Sequence, residues 1–159
     1  MQCVFPMIRD RKTREPTLRE RALKLLARRE HSRKELGRKL AEHTDDPQEV
    51  ERALDECEAR GWLSEKRVVE QLVHNRRSRF GMRRIERDLE AKGVSGDAVA
   101  AALSQLKEGE VEAARAVWRR KFGGRVPRNP AERARQARFL QGRGFELDVI
   151  FKVIEGDED

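Results

Sequence analysis

Apolar residues in this chain recur at helical spacing, with polar and charged residues filling the positions between them. The clearest case lies between residues 64 and 92, where two stripes follow one another: Val68, Val69, Leu72 and Val73, then Met82, Ile85 and Leu89. Each stripe would place its apolar side chains on one face of an amphipathic helix. No region shows the sustained alternation of β-branched residues that predicts strands. We therefore predict an all-α fold.

Short polar signals mark the helix boundaries. Residues suited to cap or open a first helical turn precede the apolar stripes: Thr17, Ser32 with Glu35 as a capping box, Pro47, Ser64, and Asn129 with Pro130. The two central stripes are separated by Phe80-Gly81. We predict that Gly81 breaks the helix there by adopting left-handed backbone angles, which glycine tolerates because it has no Cβ atom.

The stripes also form an internal repeat. Residues Leu36, Leu40, Val50, Ala53 and Leu54 recur 49 positions later as Ile85, Leu89, Val99, Ala102 and Leu103, and most of these recur after 51 more as Leu140, Ile150, Val153 and Ile154. The match breaks at Gln136, opposite Ile85. We predict three tandem three-helix units: residues 17–62 (unit one), 63–108 (unit two) and 109–155 (unit three). Units this small share cores by stacking, which gives an elongated, curved rod.

This arrangement predicts a core and three less regular segments. The core prediction comprises Leu36, Leu40, Val50, Leu54, Trp62, Leu72, Ile85, Leu89, Val99, Leu103, Leu140, Ile150 and Ile154. Residues 1–16 form a basic, disordered arm, residues 123–130 a Gly/Pro-rich loop, and residues 156–159 an acidic, frayed tail. Trp62 and Trp118 fit core packing better than base stacking. For Phe80, which lies among arginines, both interpretations stay open.

The distribution of charge along the chain indicates where a partner could bind. The charged fraction is 41%, the hydrophobic fraction 37%, and the net charge +7. Positive charge gathers in units two and three, whereas residues 45–58 are acidic. Contact with a polyanion or an acidic protein surface and simple solubility both explain this segregation. The predicted contact residues are Arg76, Arg77, Arg79, Arg83, Arg84, Arg87, Arg119, Arg120, Lys121 and Arg125.

The sequence offers little for catalysis. His31, His43 and His74 lie in different predicted helices without ligand spacing, and Cys3 and Cys57 form no metal or redox motif. No phosphate loop, dinucleotide fingerprint or activated nucleophile is recognisable. We therefore expect that the protein is not an enzyme and that it binds neither a metal nor a cofactor. Without a signal peptide or a membrane-spanning segment, we expect a cytoplasmic protein that does not bind membranes.

Several segments resemble the RecX family of bacterial recombination regulators. Residues 61–68 are similar to its Gly-aromatic-Leu-x-acidic-x-Arg-Phe element, although Val68 replaces the usual aromatic residue and Glu65 the commoner Asp. Residues 81–93 resemble the element that follows it, and residues 22–40 and 139–145 resemble its first and last repeats. The resemblance extends over about residues 17–154.

This resemblance implies a fold and a partner. Members of the family consist of three tandem three-helix repeats, lie in the groove of the RecA–DNA filament, and limit its ATPase, strand-exchange and coprotease activities. The implied partners are the RecA filament and, more weakly and without sequence preference, single- and double-stranded DNA, with the protein acting as a monomer.

Two alternatives remain at this point. Three-helix units resemble helix-turn-helix domains, which predicts a DNA-binding regulator. The third helix of unit two, however, is nearly uncharged at its start (residues 97–102) and lacks the Arg, Asn or Gln that reads base edges. The other alternative is a helical scaffold with basic patches that would not prefer nucleoprotein filaments to naked DNA.

Overall fold

The computed structural model describes residues 14–156, and within that range the chain forms nine α-helices and no strand. In chain order the helices are α1 (Leu18–Leu26), α2 (Arg33–Ala41), α3 (Pro47–Ala59), α4 (Glu65–Arg76), α5 (Met82–Lys92), α6 (Asp97–Glu108), α7 (Glu110–Phe122), α8 (Pro130–Gly142) and α9 (Leu147–Glu155). The predicted all-α fold is thus confirmed. Most of the predicted basic arm (residues 1–13), with Cys3, and residues 157–159 of the acidic tail lie outside the described residues.

Each group of three helices has its own hydrophobic core. One cluster joins α1–α3 around Leu36, Leu40 and Leu54, a second joins α4–α6 around Ile85 and Leu89, and a third joins α7–α9. The last contains Trp118, Leu140, Phe145 and Ile150. Hydrogen bonds and ion pairs link unit one to unit two and unit two to unit three, but none joins units one and three between residues 14 and 156. The predicted architecture of three tandem three-helix units is confirmed.

The polar boundary signals act as predicted. Thr17 and Ser32 form capping boxes with Glu20 and Glu35, and the Ser64 side chain accepts a hydrogen bond from the Arg67 backbone N–H. Asn129 likewise caps α8, which opens with a proline, as α3 does. These caps satisfy backbone groups that a helix cannot satisfy internally, so they fix where each helix begins.

Ten of the thirteen predicted core residues lie buried, and three do not. Trp62, Val99 and Leu103 are only half-buried. The last two belong to α6, an alanine-rich helix that covers the core of unit two from one side and buries no residue fully. The Trp62 ring instead lies between two guanidinium groups, those of Arg19 and Arg60, at 5.4 and 5.0 Å. Apolar periodicity identifies the face that packs, but it does not give the depth of burial.

Gly81 separates α4 from α5 as predicted, but it does not adopt the predicted left-handed backbone angles. Its φ is −79°, an angle that any residue adopts. Glycine is needed because a Cβ atom would lie 2.5 Å from the backbone of Gly144 and Phe145. Unit three closes on the start of α5: the Gly81 N–H donates to the Arg143 carbonyl at 2.8 Å, and the Arg83 N–H donates to the Gly144 carbonyl at 3.2 Å. The residue permits a close approach between two units.

The junction between units one and two consists of side chains. The Ser32 hydroxyl donates to the Lys92 carbonyl at 2.5 Å, and the Lys92 ammonium donates to the Glu35 carboxylate at 2.8 Å. Arg67 pairs with Glu30 across the same junction at 2.8 Å. Burial would raise the pKa of Glu35, but hydrogen bonds from Lys92 and the Ser32 backbone outweigh it and hold that pKa at about 2.

The Gly/Pro-rich loop of unit three is fixed by the residue that interrupts the repeat. Gln136 is buried, accepts a hydrogen bond from the Trp118 indole N–H at 2.7 Å, and donates to the Arg125 carbonyl at 3.1 Å. The Arg128 N–H also donates to the Glu132 carboxylate at 2.9 Å. An amide stands at this core position because it joins the loop to the core.

Candidate functional site

Four cations line a cleft where unit two meets unit three. The cleft has a volume of about 230 Å³ and is lined by Arg79, Arg120, Lys121 and Arg143, with Val117 and Phe139 at its floor. Arg79 follows the end of α4, Arg120 and Lys121 lie in the last turn of α7, and Arg143 caps α8. We call this the unit 2–3 cleft. Three of its four cations were predicted as contact residues.

None of these four cations forms an ion pair with a carboxylate in residues 14–156. The Arg120 guanidinium donates to the Ser78 carbonyl, which joins the two units beneath the cleft. Arg143 lies 5.4 Å from the centre of the Phe80 ring and 5.2 Å from that of Phe139. Aromatic faces attract cations but do not cancel their charge. The cleft therefore keeps a positive field that attracts an anion.

Four arginines surround the Phe80 ring. The guanidinium carbons of Arg76, Arg79, Arg84 and Arg143 lie 5.3–5.5 Å from its centre. The ring is half-buried, so neither a plain core role nor an open stacking role describes it. Phe80 instead provides a surface that holds arginines from both units side by side.

Other predicted contact arginines are already paired. Arg76 and Arg84 both lie 3.4 Å from Asp88, and Arg83 lies 3.0 Å from Glu146 of unit three. These ion pairs are partly exposed, so each adds little stability, but they reduce the charge available to a partner. Three of the predicted arginines, on α4 and α5, are thus paired, whereas the three predicted cations in the cleft have no carboxylate partner among residues 14–156.

The four remaining predicted contact residues do not line the cleft. Arg87 donates to the Arg83 carbonyl at 3.3 Å, Arg119 is exposed on α7, and Arg125 lies in the loop after α7. Arg77 borders an apolar cavity of about 360 Å³ between α4, α6 and α7. The structure therefore does not bring all ten residues into a single site.

Sequence reasoning missed two residues at this junction. Arg143 was not among the predicted contacts, because its position in the cleft depends on how units two and three meet. Glu110 is 4% exposed and accepts the Met82 N–H at 3.2 Å, so α7 caps α5. Burial raises the pKa of Glu110, and the charges of Glu146 and Asp148 raise it further. Neither role has a local sequence signal, since both depend on contacts between units.

The structure also bears on the alternatives. Helix α6, which would be the recognition helix of unit two, carries no arginine or asparagine and has aspartate at its first position. No group of three or more His, Cys, Asp or Glu side chains is arranged for a metal within residues 14–156. Burial raises the pKa of the Cys57 thiol, which disfavours the reactive thiolate. In the same range, no helix is long and apolar enough to span a bilayer.

Comparison with known proteins gives a consistent result along the chain. Three family descriptions match in order: "RecX, first three-helix domain" at residues 19–57, the second three-helix domain at 64–103, and the third at 108–154. The regulatory protein RecX of Leptothrix cholodnii is 51% identical over 138 residues, which are 87% of each chain. That of Ralstonia nicotianae is 46% identical over 144 residues, 90% of each chain.

Solved structures agree on the fold. The crystal structure of RecX from Lactobacillus salivarius superposes with a TM-score of 0.74 at 19% identity, covering 87% of this chain and 92% of that one. At this identity the likeness concerns the fold alone.

Proposed function

Because this chain belongs to the RecX family of regulatory proteins, we propose that it regulates the RecA recombinase, mainly as an inhibitor. It would bind in the groove of the RecA–DNA filament and limit ATP hydrolysis, strand exchange and coprotease activity. On this proposal it acts in the cytoplasm as a monomer without catalysing a reaction. The family resemblance suggests the partner, and the charge of the unit 2–3 cleft supports that cleft as the contact surface.

The observation that supports the proposal most directly is the unit 2–3 cleft. A nucleoprotein filament presents phosphates and acidic protein side chains, and four cations that have no carboxylate partner among residues 14–156 match that chemistry. The backbone contacts of Gly81 and Arg83 with unit three hold the cleft walls together, so little ordering is needed on binding. A linear row of three units suits a groove better than a single compact face would.

The proposal is tested by measuring DNA-dependent ATP hydrolysis by RecA while this protein is titrated. Its binding to the same DNA without RecA is measured in parallel. We expect inhibition at concentrations well below those that coat naked DNA. The cleft variant Arg79→Gln/Arg143→Gln should need more protein for half-inhibition. The matched control is Arg28→Gln/Arg138→Gln, which removes two exposed cations that do not line the cleft.

Two results would contradict parts of the proposal. Inhibition that begins only when DNA is saturated, and that falls steeply with salt, would mean competition for DNA. Equal losses in the cleft and control variants would mean that total charge, rather than the cleft, determines the effect. Far-UV circular dichroism of both variants checks that helicity is unchanged.

A further inference from the structure

A second basic groove lies beside the unit 2–3 cleft, on unit three alone. It has a volume of about 540 Å³, and Lys121, Arg125, Arg128 and Arg135 supply its cations. Among residues 14–156, Glu132 is the one acidic residue that lines it, and its carboxylate already accepts the Arg128 backbone N–H at 2.9 Å. Val126, which also lines the groove, is 56% exposed. The groove therefore joins positive charge to an uncovered apolar side chain.

The groove and the cleft share a lining residue. Lys121 lines both, and the rings of Phe122 and Phe139 meet edge to face between them, 5.4 Å apart. Cations lie over these rings: Lys121 over Phe139 at 5.6 Å and Arg135 over Phe122 at 5.9 Å. We call the resulting line of six cations the basic track, and it consists of Arg79, Arg143, Lys121, Arg135, Arg125 and Arg128.

The loop that carries the end of the track has a defined conformation. Gly123 and Gly124 adopt left-handed angles with φ of 65° and 71°, which turn the chain out of α7. Gln136 then holds the Arg125 carbonyl, and the Arg125 N–H donates to the Phe122 carbonyl at 3.3 Å. The backbone that carries the cations at this end of the track is consequently fixed.

We propose that the basic track binds the phosphodiester backbone of single-stranded nucleic acid, which makes unit three the nucleic-acid-binding part of the chain. This inference rests on the proposed function, because it assigns the nucleic-acid component of the filament to one surface. Two small concave grooves that lie next to one another suit a flexible single strand, whereas a duplex is too wide and stiff to follow them. Guanidinium groups held over aromatic rings also present flat surfaces on which bases stack.

An acidic protein segment is the competing occupant, and the track favours the strand for a physical reason. Carboxylates would match the charge, but they would not use the flat guanidinium and phenyl surfaces. A strand uses both, since its phosphates meet the cations while its bases lie against those surfaces.

The test measures the binding of a fluorescein-labelled oligothymidylate by anisotropy, without RecA, over a range of salt concentrations. Replacing Arg125 and Arg135 by Gln changes the second groove only and leaves the cleft intact. Each single-strand phosphate contact adds about 0.7 to the slope of log K against log salt. We expect that slope to fall by about 1.4 and binding at 0.1 M salt to weaken by about 25-fold. The control Arg28→Gln/Arg138→Gln should leave the slope unchanged.

The outcomes separate this inference from the proposed function. Tighter binding of oligothymidylate than of a duplex of equal length, with loss in Arg125→Gln/Arg135→Gln, supports the track even if RecA hydrolysis is unaffected. An unchanged slope in that variant, an equal loss in the control, or competition by polyglutamate as effective as by unlabelled strand would overturn the track. Inhibition of RecA could persist in those cases.

Discussion

Replacement of Gly81 by alanine tests how units two and three are joined. The new Cβ atom would lie 2.5 Å from three backbone atoms, namely the carbonyl carbon and oxygen of Gly144 and the nitrogen of Phe145. Ordinary contacts of this kind exceed 3.4 Å, so the backbones must separate by nearly 1 Å. No flexible side chain is present to absorb the movement. The start of α5 has to move away from unit three.

The cost follows from the hydrogen bonds at that point. The Gly81 and Arg83 N–H groups donate to carbonyls of unit three at 2.8 and 3.2 Å, and the Met82 N–H donates to Glu110 at 3.2 Å. Each bond contributes about 1 kcal/mol to stability, so their weakening costs about 2–3 kcal/mol. Alanine recovers about 0.4–1 kcal/mol by restricting the unfolded chain. We expect a net loss of about 2 kcal/mol.

The measurement is urea unfolding followed by far-UV circular dichroism and, in a Trp62→Phe background, by Trp118 fluorescence as a probe of unit three. Gly109→Ala is the matched control: this residue lies between α6 and α7 with a φ of −100°, and its Cβ would meet no atom within 4 Å. The control should not destabilise the chain, because alanine there gains the same restriction of the unfolded chain, about 0.4–1 kcal/mol, without a clash. The reasoning fails if Gly81→Ala unfolds at the same urea concentration as the wild type or as the control.

Two further predictions concern the other junction and the loop. The pKa of Glu35 is about 2 in the folded chain, below its usual 4.5, so its ionised form contributes up to about 3 kcal/mol that is present above pH 4.5 and lost as the pH falls towards 2. Glu35→Gln, which keeps the capping box, should abolish that pH dependence of the free energy of unfolding. If the variant lost as much stability as the wild type between pH 4.5 and pH 2, this role of Glu35 would be refuted. Gln136→Ala should destabilise unit three by about 1–3 kcal/mol, because Trp118 and the Arg125 carbonyl lose their partner. A red-shifted emission of Trp118 would report the loss, and an unchanged spectrum and stability would contradict it.

Much of the fold could be predicted from the sequence because its signals are local. A cap such as Ser32 or Asn129 acts on the next helical turn, and an apolar stripe requires a matching stripe within about 40 residues. The repeat also gave the number of units, since three copies of one pattern imply three copies of one structure. Depth of burial was overestimated, as at Leu103, because a stripe does not specify how much of a side chain its neighbours cover.

The site was less predictable because it depends on how units meet. Arg79 and Arg143 are distant in sequence and share the cleft only once α5 has docked on unit three. Charge counts could not separate them from Arg83 and Arg84, whose acidic partners were found in the structure. Gln136 interrupted the repeat, and the structure gives the reason as a hydrogen bond to a loop. Whether the predicted contact residues bind a partner remains for the cleft and track variants to test.

The two junctions differ in what holds them, and this has a mechanical consequence. Charged side chains contribute to the contact between units one and two, through Lys92 and Glu35 and through Arg67 and Glu30, and salt screens such pairs. Units two and three share the ion pair of Arg83 with Glu146, but they also meet through two backbone hydrogen bonds, which salt hardly affects. Raising the ionic strength should therefore loosen one articulation and leave the other stiff. We expect the chain to bend as a single arm attached to a body of two units, rather than as three equal segments.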